Sequence, residues 1–330
     1  MRPRSRPHAR ARGAPTILRD PATMALHRTP RRNDMADRGI EVVHAHLAKL
    51  PPADSLTVAE RRAQYERAEK VFPLSPDVKV ERVTAGAAPA EWLRPPSARA
   101  GHVVLYLHGG GYVIGSPRSH RHLAAAIAGA AGTNALLLDY RLAPEHPFPA
   151  ALDDAVAAYR WLLDQGIAAE HIAVAGDSAG GGLTVATLLA LRDAHLPRPA
   201  AGVCISPWVD LTCSGGSYQS KAGVDPIVRQ AGVAEMARAY LGATDPRSPL
   251  ASPLFADLRG LPPLLIHVGS DEVLLDDAIG LAERAKAAGV DATLEQWDRM
   301  IHVWHWFLPM LDEAQTAVES IGRFVRARTA

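Results

Sequence analysis

Ser178 sits in Gly176-Asp177-Ser178-Ala179-Gly180-Gly181, between an apolar run at 171–175 and a long apolar run at 183–191. The first run reads as a strand and the second as a helix. A serine on a sharp strand-to-helix turn is a candidate nucleophile for acyl transfer, because the turn lifts Oγ into open space. The chain can double back so closely only where side chains are missing, which accounts for Gly176 and Gly180. The helix starting after Ser178 points free N–H groups, Ala179 first, at the place where negative charge would develop.

A second motif lies upstream. The buried-strand pattern Val103-Val104-Leu105-Tyr106-Leu107 runs directly into His108-Gly109-Gly110-Gly111-Tyr112. Three consecutive glycines cost backbone entropy, so close approach or a positive φ is expected there. A tetrahedral intermediate requires it: backbone donors must come within about 3 Å of the oxyanion without side chains in the way. We assign Gly110, Gly111 and Ala179 as the oxyanion hole. His108, at the strand end, is expected to fix the loop rather than act as a base.

With Tyr140-Arg141-Leu142-Ala143-Pro144-Glu145-His146-Pro147-Phe148-Pro149-Ala150 between them, these motifs resemble the hormone-sensitive-lipase-like (bacterial family IV) carboxylesterases of the α/β-hydrolase superfamily, over residues 80–325. The resemblance implies hydrolysis of carboxylic esters with short to medium acyl chains. It also implies a helical cap over the nucleophile, and leaves open a homodimer paired through the last strand and helix. The proline-rich 140–149 stretch is assigned a structural role.

A serine hydroxyl needs a general base, and the base needs an orienting carboxylate. In this superfamily both follow the serine in chain order. The run 263–269 reads as a strand, and Asp271 is the first carboxylate past its end. Glu272, one residue on, is expected to point elsewhere, and Asp276 and Asp277 fall where a helix begins and suit its positive end. We assign Asp271, which the resemblance also selects and which could partly serve as a helix N-cap. Downstream, His302 and His305 both lie past the strand at 292–297. His302 is nearer the strand end and follows Met300-Ile301, where the family places its base, whereas His305 opens a helical turn among aromatic residues. The expected triad is therefore Ser178, Asp271 and His302. It needs no cofactor, and the sequence has no zinc-ligand spacing, Walker lysine or dinucleotide fingerprint.

The elements that must position these groups alternate. Strand patterns at 103–107, 135–139, 172–175, 202–206, 264–268 and 292–297 are separated by helical stretches such as 150–163 and 281–288, with a final helix over 313–326. This is the signature of an α/β fold with a mostly parallel central sheet flanked by helices. Two further strands are expected near 79–83 and 91–93. The segment 207–258 separates consecutive strands by about 50 residues, far beyond an ordinary connection, and is read as an inserted cap carrying a helix over 232–241. The expected organisation is a cap of N-terminal helices at 35–78, a core at 79–206 and 259–330, and the insert at 207–258. Pro51-Pro52 divides the N-terminal helices.

With 330 residues, 48% of them apolar, the chain can bury a large core. A net charge of +1 gives nucleic-acid binding no support. The charge is uneven: residues 1–34 carry nine arginines and two aspartates, a net of +7, against −6 for the remainder. That stretch reads as a disordered basic extension, or as an over-extended reading of a chain whose translation starts at Met35. Two cysteines and no signal-peptide pattern suggest the cytoplasm, and no apolar run reaches the ~18 residues needed to span a membrane. The rival functional readings are a non-catalytic small-molecule-binding relative of the same fold, and an amide, carbamate or lactone hydrolase using the same site.

Overall fold

The computed structural model of the protein describes residues 34–50 and 55–330. The basic extension at 1–34 lies outside the described residues except for Asp34, and so does Pro51-Pro52. Three helices come first: α1 (Asp34–Leu47), α2 (Val58–Tyr65) and α3 (Ala68–Val71). A hairpin of β1 (Lys79–Ala85) and β2 (Ala88–Arg94) follows, then β3 (Val103–Leu107), α4 (Pro117–Ala131), β4 (Asn134–Leu138), α5 (Ala150–Asp164), β5 (Ile172–Asp177), α6 (Ala179–Asp193) and β6 (Ala201–Ile205). The long connection carries α7 (Ser217–Ser220) and α8 (Gln230–Leu241). The chain closes with β7 (Leu264–Gly269), α9 (Leu275–Ala287), β8 (Ala292–Trp297) and α10 (Asp312–Arg328).

The eight strands form one sheet in the order β1-β2-β4-β3-β5-β6-β7-β8. From β4 to β8 every pairing is parallel, while β2 is antiparallel to both β1 and β4. The α/β architecture thus follows the alternation in the sequence, and the first hairpin is longer than the expected 79–83 and 91–93. The edge strand β1 exposes Lys79, Glu81 and Arg82, charges that discourage edge-to-edge pairing.

Alternation along each central strand sends its residues to two cores. On one face Leu105, Leu107, Val174, Ile266 and Val268 pack with α5, α6 and α9. On the other, Val104, Tyr106, Ala175, Val203 and Leu265 meet α4 and α10. Each fully buried Leu or Val side chain stabilises by about 1.5–3 kcal/mol, and this apolar mass fixes the strand register. The register decides the site: all the parallel strands end at one rim, and β5 and β7 deliver their turns there with only β6 between them.

A third cluster joins the N-terminal helices to that rim. Ile40 and Val43 of α1, with Ala68 and Phe72, pack on Met300, Ile301, Trp304 and Phe307. The insert meets the same helices through Arg61 Nη2 and Glu235 Oε1, 2.6 Å apart. Carboxylates at the start of α9 tie the insert down. Asp277 accepts the N–H groups of Val209 and Asp210, and Asp276 accepts that of Ser217.

Candidate active site

Ser178 occupies the turn between β5 and α6 with φ 55° and ψ −120°. A non-glycine residue at positive φ is held there by its surroundings, at a cost of about 1–3 kcal/mol. Its N–H donates to the Ile205 carbonyl, and its own carbonyl accepts from Gly182 and Trp208. The glycines are a steric necessity. A Cβ on Gly180 would meet the carbonyl oxygens of Leu107 and His108, and one on Gly176 would meet the backbone of Gly180 and Leu107.

The glycine loop after β3 faces this turn. Gly110 and Gly111 have φ of 110° and 61°. The N–H groups of Gly110, Gly111 and Ala179 have no protein acceptor among the described residues. Asp177 couples the two turns: its buried carboxylate accepts from Tyr106 Oη (2.8 Å) and the Gly109 N–H (3.2 Å). Burial would raise the Asp177 carboxyl, but His120 and the Tyr106 hydroxyl hold it below the usual carboxylate range. His108 turns away from the serine. Its Nδ1 lies 2.8 Å from the Gly109 carbonyl, and burial lowers its imidazole to about 3, so it stays neutral. The 140–149 stretch supports the loop from below, with Tyr140 Oη donating to the His108 carbonyl and the Ala143 N–H to the Tyr112 carbonyl.

His302 reaches over the sheet edge from the loop after β8. Its Nε2 lies 2.9 Å from Ser178 Oγ. His305 does not reach the serine; it is buried beside His267, with Nε2 3.1 Å from His267 Nδ1.

The carboxylate on His302 is Glu272, not Asp271. Glu272 Oε2 lies 3.0 Å from His302 Nδ1, and the other oxygen accepts the Ser206 hydroxyl at 2.8 Å and the Gly269 N–H. The expectation of Asp271 is thereby corrected. Its N–H is pinned to the Met300 carbonyl, and its side chain turns outward, one-third exposed, toward Lys221 Nζ 3.9 Å away. The turn after β7 tightens at Gly269, where a Cβ would strike the Met300 carbonyl. Inward orientation therefore falls to the second residue past Ser270, and the longer glutamate side chain folds back to the rim. The signal available in the sequence was weak. Glu272 opens the run Glu272-Val273-Leu274, of which all three are buried, while Asp271 does not belong to it.

Glu272 and His302 are both sequestered from water. Burial pushes the Glu272 carboxyl above its ordinary range, against the hydrogen bonds it accepts. Burial also works against charge on His302, but the hydrogen bond and charge of Glu272, helped by the more distant Asp225 and Asp177, raise its imidazole. With Nδ1–H directed at the carboxylate, Nε2 is left as the acceptor for the serine proton.

The long connection between β6 and β7 packs on the glycine loop through α8. Met236 of α8 packs so closely on Gly111 that a Cβ there would overlap its Sδ. Tyr112 stacks on Tyr240 with ring centroids 3.8 Å apart. Among the described residues, no helix is long and apolar enough to cross a membrane.

Residues 104–306 match a family described as alpha/beta hydrolase fold. The chain is 52% identical over 272 residues to an acetyl-hydrolase of Streptomyces hygroscopicus, covering 82% of this chain and 91% of that one. It is 32% identical over 285 residues to an ethyl acetate hydrolase of Pseudomonas putida, covering 81% of this chain and 89% of that one. Among solved structures, an esterase from the bacterial hormone-sensitive lipase family superposes with a TM-score of 0.86 at 51% identity, covering 91% of this chain and 100% of that one. An esterase/lipase from an uncultured bacterium gives a TM-score of 0.85 at 51% identity, covering 88% and 98%.

Proposed function

Because the chain belongs to the hormone-sensitive-lipase-like branch of the α/β-hydrolase family, we propose that it is a serine carboxylesterase for short to medium acyl esters, working through Ser178, His302 and Glu272. The observation that carries this reading is the unbroken line from Ser178 Oγ through the His302 ring to the Glu272 carboxylate, with contacts of 2.9 and 3.0 Å.

The chemistry follows from the atoms. Ser178 Oγ attacks the ester carbonyl as its proton passes to His302 Nε2. Glu272 keeps Nδ1 protonated and stabilises the imidazolium that forms. The oxyanion meets the N–H groups of Gly110, Gly111 and Ala179, whose preorganisation costs nothing at the moment of reaction. The tetrahedral intermediate collapses to an acyl-serine, and His302 returns its proton to the departing alkoxide. Water, deprotonated by His302, then adds to the acyl carbonyl, and the carboxylic acid leaves as Ser178 recovers its proton. Short acyl groups are favoured by the relatives named for acetyl and ethyl acetate hydrolysis, and by the Met236 side chain seated against Gly111 beside the oxyanion loop.

The test is turnover of p-nitrophenyl esters from acetate to palmitate by wild type and Ser178→Ala. Wild type should be fastest on acetate to hexanoate. The variant should retain its fold and lose about 10⁶-fold in kcat. Absence of turnover on every ester would favour a non-catalytic binding role, and parallel assays on anilides and lactones would separate the remaining alternatives.

A further inference from the structure

Ser206 directly follows β6 and is itself followed by Pro207. It lies on none of the segments that carry the triad, yet it touches two of them. Its side chain is wholly buried. The hydroxyl donates to Glu272 Oε1 at 2.8 Å and accepts the Val303 N–H at 3.1 Å. Val303 is the residue directly after His302.

Ser206 and Val303, whose N–H its hydroxyl accepts, both carry backbone strain. Ser206 has φ 45°. Val303 has φ 49° and ψ 46°, a left-handed conformation that a β-branched residue adopts only when its surroundings over-determine it. The Ser206 backbone N–H is held by the His267 carbonyl of β7 at 2.8 Å, so its unusual conformation aims the hydroxyl at the rim. A glycine would relieve the strain and a threonine or valine would worsen it. A serine there combines an unfavourable backbone with a hydroxyl that satisfies one donor and one acceptor deep in the protein.

We propose that Ser206 is a positioning residue of the triad, whose single hydroxyl locks the Glu272 carboxylate and the His302 loop into one register. The inference rests on the triad reading above. Glu272 has two oxygens and His302 needs one. With Oε1 tied to the Ser206 hydroxyl and the Gly269 N–H, Oε2 can only face Nδ1. With the Val303 N–H tied to the same hydroxyl, the imidazole cannot swing away from Ser178 without breaking that contact.

The experiment pairs Ser206→Gly with Ser206→Ala and Glu272→Gln. Glycine accepts positive φ freely, so Ser206→Gly should lose less thermal stability than Ser206→Ala, although both leave the buried Val303 N–H without its acceptor. The kcat of Ser206→Gly should fall about ten- to a hundredfold, the worth of a hydrogen bond to a charged acceptor, with KM within about twofold. The acid limb of its pH profile should move to lower pH, because a loosely held carboxylate supports the imidazolium less well. Ser206→Ala should show the same kinetic loss with lower stability. Placed on Glu272→Gln, the Ser206→Ala change should cost clearly less than it does on wild type, since the part of its action that runs through the carboxylate is already broken. A Ser206→Gly protein with wild-type kcat and an unmoved acid limb would overturn the proposal, as would a full, additive loss on the Glu272→Gln background. Unimpaired activity of Glu272→Gln itself would instead overturn the triad reading.

Discussion

The turn after β5 and the turn after β7 reach the same rim, and they hold their functional groups by opposite means. Ser178 is held by backbone. Gly176 and Gly180 let the main chain of β5, the start of α6 and the end of β3 pack in close contact, and the serine between them is held at φ 55°. Glu272 is held by side-chain chemistry. It sits in a loop of ordinary residues, and its place is decided by what its oxygens can accept: the Ser206 hydroxyl, the Gly269 N–H and the His302 ring. A backbone-held group tolerates changes around it but not an added methyl. A side-chain-held group tolerates steric change better and fails when one polar atom is altered.

The sharpest way to break the contrast is Glu272→Gln beside Asp271→Asn. Replacing Glu272 removes the charge that orients and stabilises His302, so kcat should fall about ten-thousandfold while the fold persists. Replacing Asp271, which lies 3.9 Å from Lys221 Nζ and turns away from His302, should leave kcat within about twofold. Steady-state kinetics on p-nitrophenyl butyrate decide it, and the reverse ranking would restore Asp271. Next in size is Gly180→Ala. The new methyl would strike the Leu107 and His108 carbonyls, so stability should drop by about 1–3 kcal/mol, read as the shift of the urea midpoint. An unaffected midpoint would mean that the elbow is not held by backbone contact.

The pH profile sharpens the same distinction. In the proposed mechanism neutral His302 is the base, and Glu272 raises its imidazole above the ordinary 6.5. The acid limb of kcat/KM should therefore have its midpoint above that value, and in Glu272→Gln the residual activity should show a limb displaced downward. An unmoved limb would assign the titration elsewhere. The smallest effect concerns the seam between insert and core. Burial raises the Asp277 carboxyl to about 7, above its value in the unfolded chain. The stability it contributes is full at low pH and is lost as pH rises through 7. Asp277→Asn should remove this loss, so the fall in melting temperature from pH 5 to pH 8 should shrink by a few degrees. An unchanged fall would place the pH dependence in other groups.

Much of this was legible because backbone constraints leave marks in composition. The turn at Ser178 and the loop that faces it appear as glycines at fixed spacing after apolar strands, and nothing else in the chain repeats that combination. His302 was legible from its distance to the end of β8. Glu272 was not. Two adjacent carboxylates follow β7, and a shift of one residue reverses which faces the interior; Gly269 precedes both and marks a tight turn without marking which of them it sends inward. Ser206 was equally silent, since one serine at the end of an apolar strand resembles any other.

The sequence by itself determined the parallel sheet, the order of strands and helices, the tight turn that carries Ser178 and the glycine loop that faces it, because periodicity and glycine placement are local properties of the chain. Only the tertiary structure decided which carboxylate meets the imidazole and what steadies that pair. Those contacts join β6, β7 and the loop after β8, segments tens of residues apart, and they depend on burial and on the direction of single hydrogen bonds, which exist only once the strands lie side by side.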